Sequence, residues 1–219
     1  MQMQLLNNFL RSELGLNPEL TEGQFIRYEK LLLEWNKKIN LVSRKTESIE
    51  EHILNSVFFL RKFNFDKVKK VADIGTGGGF PGVPLKILFP EIEITFIDSI
   101  KKKTAALEDI VKNMNFKNAK VICGRAEEIA GDINFRKKYN IVISKAVAPL
   151  DKLFLWGKDL LNSNGEMLCL KGGILDDELK TLIELKRTEE FKFNAEVVNF
   201  DFNIVYKIED KKIVIIKLK

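Results

Sequence analysis

A glycine-rich turn between two apolar segments is the part of the sequence best suited to bind a ligand. A predicted strand, 71–74, leads into the turn, whose glycines are Gly75, Gly77, Gly78, Gly79 and Gly82. An apolar segment that reads as a helix follows and ends at Pro90. Because glycine lacks a Cβ, backbone N–H groups in such a turn can approach a ligand closely, and the helix presents the positive end of its dipole. The turn therefore predicts a site for a nucleotide-like ligand.

Two acids beside this turn narrow the choice of ligand. The spacing from Gly77 to Gly82 fits the dinucleotide pattern G-x-G-x-x-G. Asp73, however, stands just before the first glycine, where it would repel a pyrophosphate and favour a ligand with a positive charge, such as the amino group of S-adenosylmethionine. Asp98 ends the next predicted strand, where a ribose-binding carboxylate is expected. Both acids could instead cap the turns that follow their strands, and that alternative stays open.

Short motifs in a fixed order extend over roughly residues 20 to 175. They are Trp35-Asn36, Asn40–Ser43, His52–Ser56, Asp73–Leu85, Asp98-Ser99, Gly124–Glu128, Ser144–Ala146 and Leu170–Gly172. Together they resemble the bacterial 16S rRNA (guanine-N7) methyltransferases known as the glucose-inhibited division protein B family. The resemblance implies a class I methyltransferase, S-adenosylmethionine as its cofactor, and 16S rRNA or the small ribosomal subunit as its partner.

The resemblance also implies two sets of site residues. Those expected to bind the cofactor are Asp73, Gly75, Gly77, Phe80, Asp98, Ala126, Glu127 and Lys145, with Ala126 and Glu127 against the adenine. Those expected to contact RNA are His52, Lys101, Lys102, Arg125 and Lys171. The family usually has arginine where this chain has Lys145, so the charge is kept and the bidentate fork is lost. A lone histidine on a helix is more often structural, and lysine runs are usually solvated, so these alternatives stay open.

The segment after the predicted fourth strand carries no nucleophile. It reads Lys145-Ala146-Val147-Ala148-Pro149, without the Asn/Asp-Pro-Pro-aromatic loop of amino-group methyltransferases or the cysteine of C5-pyrimidine enzymes. A ring nitrogen with a free lone pair, such as guanine N7, needs neither. We therefore assign no catalytic base and expect catalysis by positioning. Lys145 is the one residue that we name as a candidate for a catalytic role. Cys123 and Cys169 read as buried, reduced thiols, and no metal site is predicted.

The order of elements predicts an α/β fold with a Rossmann-like, mostly parallel sheet and an antiparallel C-terminal strand. We expect strands at 71–74, 93–98, 119–123, 140–145, 166–171, 196–206 and 212–218, and helices at 82–89, 100–114, 150–161 and 174–189 between them. Apolar helical patterns before the first strand predict an N-terminal helical cap, 1–66, on a methyltransferase domain, 67–219, the two forming one compact unit.

Composition sets the broad class of the protein. A net charge of +5 and a pI near 9.0 favour a polyanionic partner. No apolar run is long enough to span a membrane, and the N-terminus lacks a signal-peptide pattern, so we expect a monomeric cytoplasmic enzyme. Two other functions remain open, a methyltransferase acting on another substrate and a non-catalytic rRNA-binding assembly factor.

Overall fold

The chain forms one seven-stranded sheet with helices on its faces. The computed structural model describes residues 3–188, 191–202, 204–206 and 208–218. The strands are β1 (Lys70–Ile74), β2 (Glu93–Asp98), β3 (Ala119–Cys123), β4 (Tyr139–Lys145), β5 (Leu161–Gly172), β6 (Phe193–Asn199) and β7 (Lys211–Leu218). Their order in the sheet is β3-β2-β1-β4-β5-β7-β6. The first five strands are parallel, and β7 runs antiparallel between β5 and β6, so the expected sheet is confirmed.

The helices are distributed between an N-terminal group and the crossovers of the sheet. They are α1 (Gln4–Leu14), α2 (Glu22–Asn36), α3 (Glu50–Val57), α4 (Gly82–Leu88), α5 (Lys101–Asn113), α6 (Ala126–Ile129), α7 (Leu150–Gly157) and α8 (Asp176–Thr188). Short 3-10 turns occur at Pro18–Leu20, Phe58–Arg61 and Ile204–Tyr206. Within the described ranges, no helix is long and apolar enough to cross a membrane.

The helices before β1 share their apolar core with the sheet. Leu6, Tyr28 and Ile53 belong to the same buried cluster as Phe96 of β2 and Ile143 of β4. A further link is the hydrogen bond that Trp35 Nε1 of α2 donates to Asp109 Oδ2 of α5, at 2.8 Å. The N-terminal helices therefore pack directly on the α/β part, and the boundary at residue 66 stays a prediction.

The centre of the sheet sets the place of the site. Residues 71–74 of β1 are all buried, as is typical of a strand covered on both faces. β1 pairs with β2 on one side and with β4 on the other. The strand order therefore reverses between β1 and β4, and ligands of open α/β sheets bind beyond the carboxyl ends of the strands at such a switch point.

Two predicted boundaries were wrong near the C-terminal end of the sheet. Helix α7 ends at Gly157, and β5 begins at residue 161, where we predicted helix to 161 and strand only from 166. Gly157 packs so closely on the sheet that a Cβ there would lie 2.3 Å from Met167 Cε. The apolar pattern of the sequence continues past Gly157 and does not reveal this tight packing, so it predicted a longer helix.

The predicted strand 196–206 is also shorter than expected. Strand β6 ends at Asn199, and Phe200 packs edge-on against Phe58 at a centroid distance of 5.0 Å. Tyr206 lies in a 3-10 turn and packs in the same manner on Phe9, at 5.2 Å. Burial of these rings against the N-terminal helices replaces strand pairing. Cys123 was predicted to be buried but is exposed on β3, at the edge of the sheet, whereas Cys169 on β5 is buried as predicted.

Candidate functional site

An open cavity of about 520 Å³ lies at the carboxyl ends of the central strands. Four segments contribute to its lining, one after each of β1, β2, β3 and β4. They are Gly75–Gly78, Asp98–Ile100, Gly124–Glu127 and Lys145–Val147. Leu41 and Val42, in the segment between α2 and α3, and His52 of α3 close one side. The cavity therefore occupies the switch point of the sheet, the position at which this type of fold binds its ligands.

The glycine turn after β1 brings its backbone close to the loop after β4. Gly75 and Gly77 have φ values of 68° and 55°, in the left-handed region that glycine adopts readily. A Cβ on Gly75 would lie 2.5 Å from Val147 Cγ1, so no side chain fits at this position. The N–H groups of Gly75 and Thr76 both donate to the carbonyl oxygen of Ile97. The turn is thus fixed against β2 with its bare backbone along the cavity.

Asp98 presents a carboxylate at the cavity floor. Its Oδ2 accepts a hydrogen bond from Gly77 N and its Oδ1 one from Ile100 N, each at 2.9 Å. The residue is only 7% exposed, yet it belongs to the cavity lining. A carboxylate oxygen has more than one acceptor position, so both oxygens can accept further bonds from a ligand. A vicinal pair of hydroxyl groups, as in a ribose, matches this arrangement.

Asp73 fixes the glycine turn without lining the cavity. It is fully buried, and its Oδ2 accepts hydrogen bonds from Thr76 Oγ1 at 2.7 Å and from Gly82 N at 2.9 Å. Asp73 is absent from the cavity lining, although we expected it to face the positively charged part of the cofactor. The carboxylate instead caps the start of α4, as in the alternative that the spacing left open. Its Oδ1 has no hydrogen-bond partner within the described part of the chain.

Helix α2 supports the same turn from the N-terminal side. The buried hydroxyl of Tyr28 donates a 2.8 Å hydrogen bond to the carbonyl oxygen of Gly78. The Tyr28 ring also lies 5.5 Å from that of Phe80, with the two planes tilted. Burial and the nearby Asp73 raise the pKa of Tyr28 well above its usual value, so this residue stays a hydrogen-bond donor. The N-terminal helices therefore shape the site as well as the core.

His52, Phe80 and Lys145 form a group on the cavity wall. The His52 ring lies 5.4 Å from the Phe80 ring at an interplanar angle of 33°, and Lys145 Nζ lies 5.1 Å from the Phe80 centroid. Burial lowers the pKa of Lys145 to about 8, although Asp73 opposes that shift. Burial, and secondarily Lys145, lowers the pKa of His52. The group offers an aromatic face and an amine to a planar ligand.

Replacing Asp73 with asparagine will remove a pH dependence of stability. Burial raises the pKa of Asp73 from 3.8 to about 7, so the folded protein keeps a proton that the unfolded chain has lost. The contribution of Asp73 to the free energy of unfolding therefore falls as pH rises from about 4 to about 7. Asparagine keeps an acceptor for Thr76 and Gly82 without the charge, so the variant will be more stable at pH 7.5 by about 4 kcal/mol.

Urea unfolding at pH 4.5 and pH 7.5 measures this difference. In the wild type, the lowered pKa of Lys145, about 8, makes stability rise only above that pH, toward its unfolded value of 10.5, and so outside this range. A variant whose unfolding free energy changes with pH as much as that of the wild type would show that Asp73 does not carry the effect.

The remaining predicted residues divide between the lining and its surroundings. Arg125, Ala126 and Glu127 line the cavity, as do Gly75, Gly77, Phe80, Asp98, Lys145 and His52. Lys101 and Lys102 are exposed in the first turn of α5 outside the lining, whereas Lys103, which we did not select, lines it. Trp156 of α7 and Thr76 were missed as well. Leu41 and Val42 lie in a motif that we identified but to which we gave no role.

Lys171 bonds to two acceptors within the protein. Its Nζ, on a side chain that is 8% exposed, donates to Ala148 O and forms an ion pair with Glu178 Oε2, both at 2.6 Å. The same Glu178 oxygen accepts a hydrogen bond from Leu150 N at the start of α7. This network fixes the loop after β4, which contributes Val147 to the cavity. The RNA contact expected for Lys171 stays a prediction.

Replacing Lys171 with methionine will destabilise the protein by about 2 kcal/mol, because a charged hydrogen-bond donor is lost and its acceptors become unpaired. Urea unfolding measures the change. Lys217→Met is a matched control, since Lys217 pairs with Glu166 across neighbouring strands but is 54% exposed. Such an exposed pair contributes about 0–1 kcal/mol. Equal losses in the two variants would contradict the positioning role of Lys171.

The architecture is the fold of the class I methyltransferases. The strand order, the glycine turn after β1 and the acid after β2 are the features that the sequence led us to expect for this class. A structural neighbour is a mutant of MtNAS solved in complex with S-adenosylmethionine, with a TM-score of 0.57 and 11% sequence identity. The match covers 91% of this chain and 76% of that chain. At this identity the likeness shows the fold.

Sequence comparison identifies the family. Residues 21–202 match the GidB family, described as rRNA small subunit methyltransferase G, and the chain belongs to this family. The protein named ribosomal RNA small subunit methyltransferase G of Chlorobaculum tepidum is 40% identical over 174 residues, covering 78% of this chain and 77% of that protein. The protein of that name from Chlorobium chlorochromatii is 36% identical over 205 residues, 92% of this chain and 85% of its own length.

Proposed function

We propose that this protein transfers a methyl group from S-adenosylmethionine to N7 of a guanine in 16S rRNA, the RNA of the small ribosomal subunit. The observation that carries the proposal is the cavity at the switch point, lined by the glycine turn and by Asp98, in a chain of the GidB family. The relatives are named as small-subunit rRNA methyltransferases, which supports the class of substrate.

The residues of the cavity fit the proposed cofactor. Gly75 and Gly77 line the cavity without side chains, which leaves room there for the amino-acid part. Asp98 lines the cavity and would accept the two ribose hydroxyl groups, one on each carboxylate oxygen, beside the bonds from Gly77 N and Ile100 N. The adenine would lie against Ala126 and Glu127 in the first turn of α6. Asp73 contributes indirectly, by fixing the turn through Thr76 and Gly82.

The chemistry requires alignment rather than a base. Bound S-adenosylmethionine supplies an electrophilic methyl group on its sulfonium. Guanine N7 carries an in-plane lone pair and no proton, so no residue has to remove one. We assign orientation of the guanine to the wall formed by His52, Phe80 and Lys145, which offers a ring face and an amine side by side. Holding the two reactants in line is the main source of rate in such a site.

Basic residues around the mouth would hold the RNA backbone. Arg125 and Lys103 line the cavity, and Lys101 and Lys102 are exposed beside it at the start of α5. The net charge of +5 agrees with a polyanionic partner. Binding built on phosphate contacts weakens steeply as salt rises, and the target base has to leave its stack to reach the cavity. We also propose that the protein acts as a monomer in the cytoplasm.

Methylation of rRNA from cells that lack the gene tests the proposal directly. Small-subunit rRNA and intact subunits from that strain are incubated with the protein and S-adenosylmethionine, and nucleosides are mapped by mass spectrometry. The expected result is one added 7-methylguanosine in 16S rRNA. Methylation of a different base, or of a protein or small molecule only, would favour a methyltransferase with another substrate. Binding to the subunit without any transfer would favour an assembly factor.

A further inference from the structure

Tyr28 is a side chain of α2 that supports the glycine turn from outside the cavity. It is fully buried, and its hydroxyl donates a 2.8 Å hydrogen bond to the carbonyl oxygen of Gly78. Gly78 lines the cavity, whereas Tyr28 does not. A Cβ on Gly79 would lie 3.2 Å from the same hydroxyl oxygen, so the turn packs directly on this group. Removing the hydroxyl therefore changes the support of the turn without removing an atom that lines the cavity.

The first half of the glycine turn has a separate anchor on β2. The backbone N–H groups of residues 75–77 all donate to this strand, either to Ile97 O or to Asp98 Oδ2. None of these bonds involves Tyr28, whose hydroxyl bonds to the second half of the turn at Gly78. The segment that we assign to the cofactor and the segment that Tyr28 supports are therefore held by different bonds.

Phe80 connects the second half of the turn with the cavity wall. Its ring lies 5.5 Å from the ring of Tyr28 and packs with His52 and Lys145 on the wall. Phe80 follows Gly78 by two residues, so a shift of the backbone at Gly78 moves the base of the Phe80 side chain as well. The position of the Phe80 ring therefore depends on both the hydroxyl and the ring of Tyr28.

We propose that Tyr28 is a positioning residue for methyl transfer, and that its hydroxyl, acting through Gly78 and Phe80, fixes the wall that orients the target guanine. The inference rests on the proposed function, which gives this wall its task. In a reaction that depends on alignment, a small displacement of one reactant costs a large part of the rate. We therefore expect loss of the hydroxyl to slow the transfer step and to leave cofactor binding unchanged.

Tyr28→Phe, with Tyr139→Phe as matched control, tests this role. Tyr139 is 4% exposed, and its hydroxyl donates to Thr95 Oγ1 at 3.0 Å. It lines the groove at the opposite edge of the sheet and not the cavity. Each substitution keeps the ring and removes one buried hydrogen bond. We therefore expect similar losses of stability on urea unfolding, so the two variants are matched in their purely structural effect.

The two variants will differ in methyl transfer. We expect Tyr28→Phe to lower kcat for 16S rRNA about tenfold. Its KM for the rRNA and its dissociation constant for S-adenosylhomocysteine will stay within about twofold of the wild type, because a fall in kcat at constant KM indicates an interaction that acts in the transition state. Tyr139→Phe will stay within about twofold in all three quantities. Steady-state kinetics and calorimetry measure them.

A double variant with Phe80→Leu tests whether Tyr28 acts through the Phe80 ring. If it does, Tyr28→Phe combined with Phe80→Leu will have the same kcat as Phe80→Leu alone, because the ring that transmits the effect is already absent. Wild-type kcat in Tyr28→Phe, an equal loss in Tyr139→Phe, or losses that multiply in the double variant would each overturn the inference and leave the proposed function intact. Failure of the wild type to methylate 16S rRNA would refute the proposed function, and the inference with it.

Discussion

Replacing Asp98 with alanine will lower the affinity for S-adenosylhomocysteine by about a hundredfold. We propose that the carboxylate accepts both ribose hydroxyl groups, and hydrogen bonds to a charged acceptor are each worth about 1.5–3 kcal/mol. A loss of about 3 kcal/mol corresponds to about two powers of ten in the dissociation constant. Asp98 also accepts from Gly77 N, so the variant releases one contact of the glycine turn. Isothermal calorimetry measures the change.

Asp132→Ala is the matched control for this experiment. Asp98 Oδ1 accepts from the N–H two residues ahead, at Ile100, and Asp132 Oδ1 accepts in the same way from Asn134. Asp132 lies outside the cavity lining, so its loss removes the local turn contact without touching the site. We expect wild-type affinity in this variant. Equal affinities in Asp98→Ala and the wild type would show that the carboxylate does not hold the ribose.

Replacing Gly75 with alanine will reduce both stability and ligand binding. Position 75 has a φ of 68°, which costs a residue with a Cβ about 1–2 kcal/mol. The new Cβ would also lie 2.5 Å from Val147 Cγ1, so the turn after β1 and the loop after β4 must move apart. Overpacking of this kind adds about 1–3 kcal/mol. Because both segments line the cavity, we expect at least a tenfold loss of affinity for S-adenosylhomocysteine.

Gly15→Ala separates the cost of the backbone conformation from the cost of the close contact with Val147. Gly15 has nearly the same φ, 65°, and a Cβ added there would have no other group within 4 Å. This control therefore has only the cost of a left-handed backbone conformation. Gly15 lies at the end of α1, away from the cavity. Urea unfolding will show the larger loss in Gly75→Ala, and calorimetry will show a loss of affinity only there. A stability loss no larger than that of Gly15→Ala would contradict the close packing of Gly75 on Val147.

Local patterns predicted the centre of the sheet well. Strands β2 and β3 begin and end at the predicted residues, and β1 and β4 differ from prediction by one residue at the start. Strands β1, β2 and β4 are nearly continuous apolar runs between polar turns, and burial on both faces leaves such runs few alternatives. The positions of the glycine turn and of Asp98 were also predicted. A turn of this shape requires glycine, and Asp98 is the residue at which its strand ends. These are features that neighbours in the sequence determine.

The features that were not predicted from the sequence depend on contacts between distant segments. Asp73 has the spacing of a ligand-binding acid, yet the bonds from Thr76 and Gly82 place it behind the turn. Lys171 lies in a family motif, but its partners Ala148 and Glu178 become neighbours only when the sheet forms. Contacts between distant segments also determine the end of β6, because burial of aromatic rings on the N-terminal helices outweighs the local preference for a strand. Periodicity carries no information about such partners.

A crystal structure grown with S-adenosylhomocysteine is the most direct test of the central claim, that the cavity at the carboxyl ends of the strands is the cofactor site. The structure predicts density along Gly75 and Gly77, with both ribose hydroxyl groups within about 3.2 Å of Asp98 oxygens and the adenine against Ala126. Density in the groove between Lys70 and Tyr139 at the opposite edge of the sheet, with this cavity empty, would contradict the account.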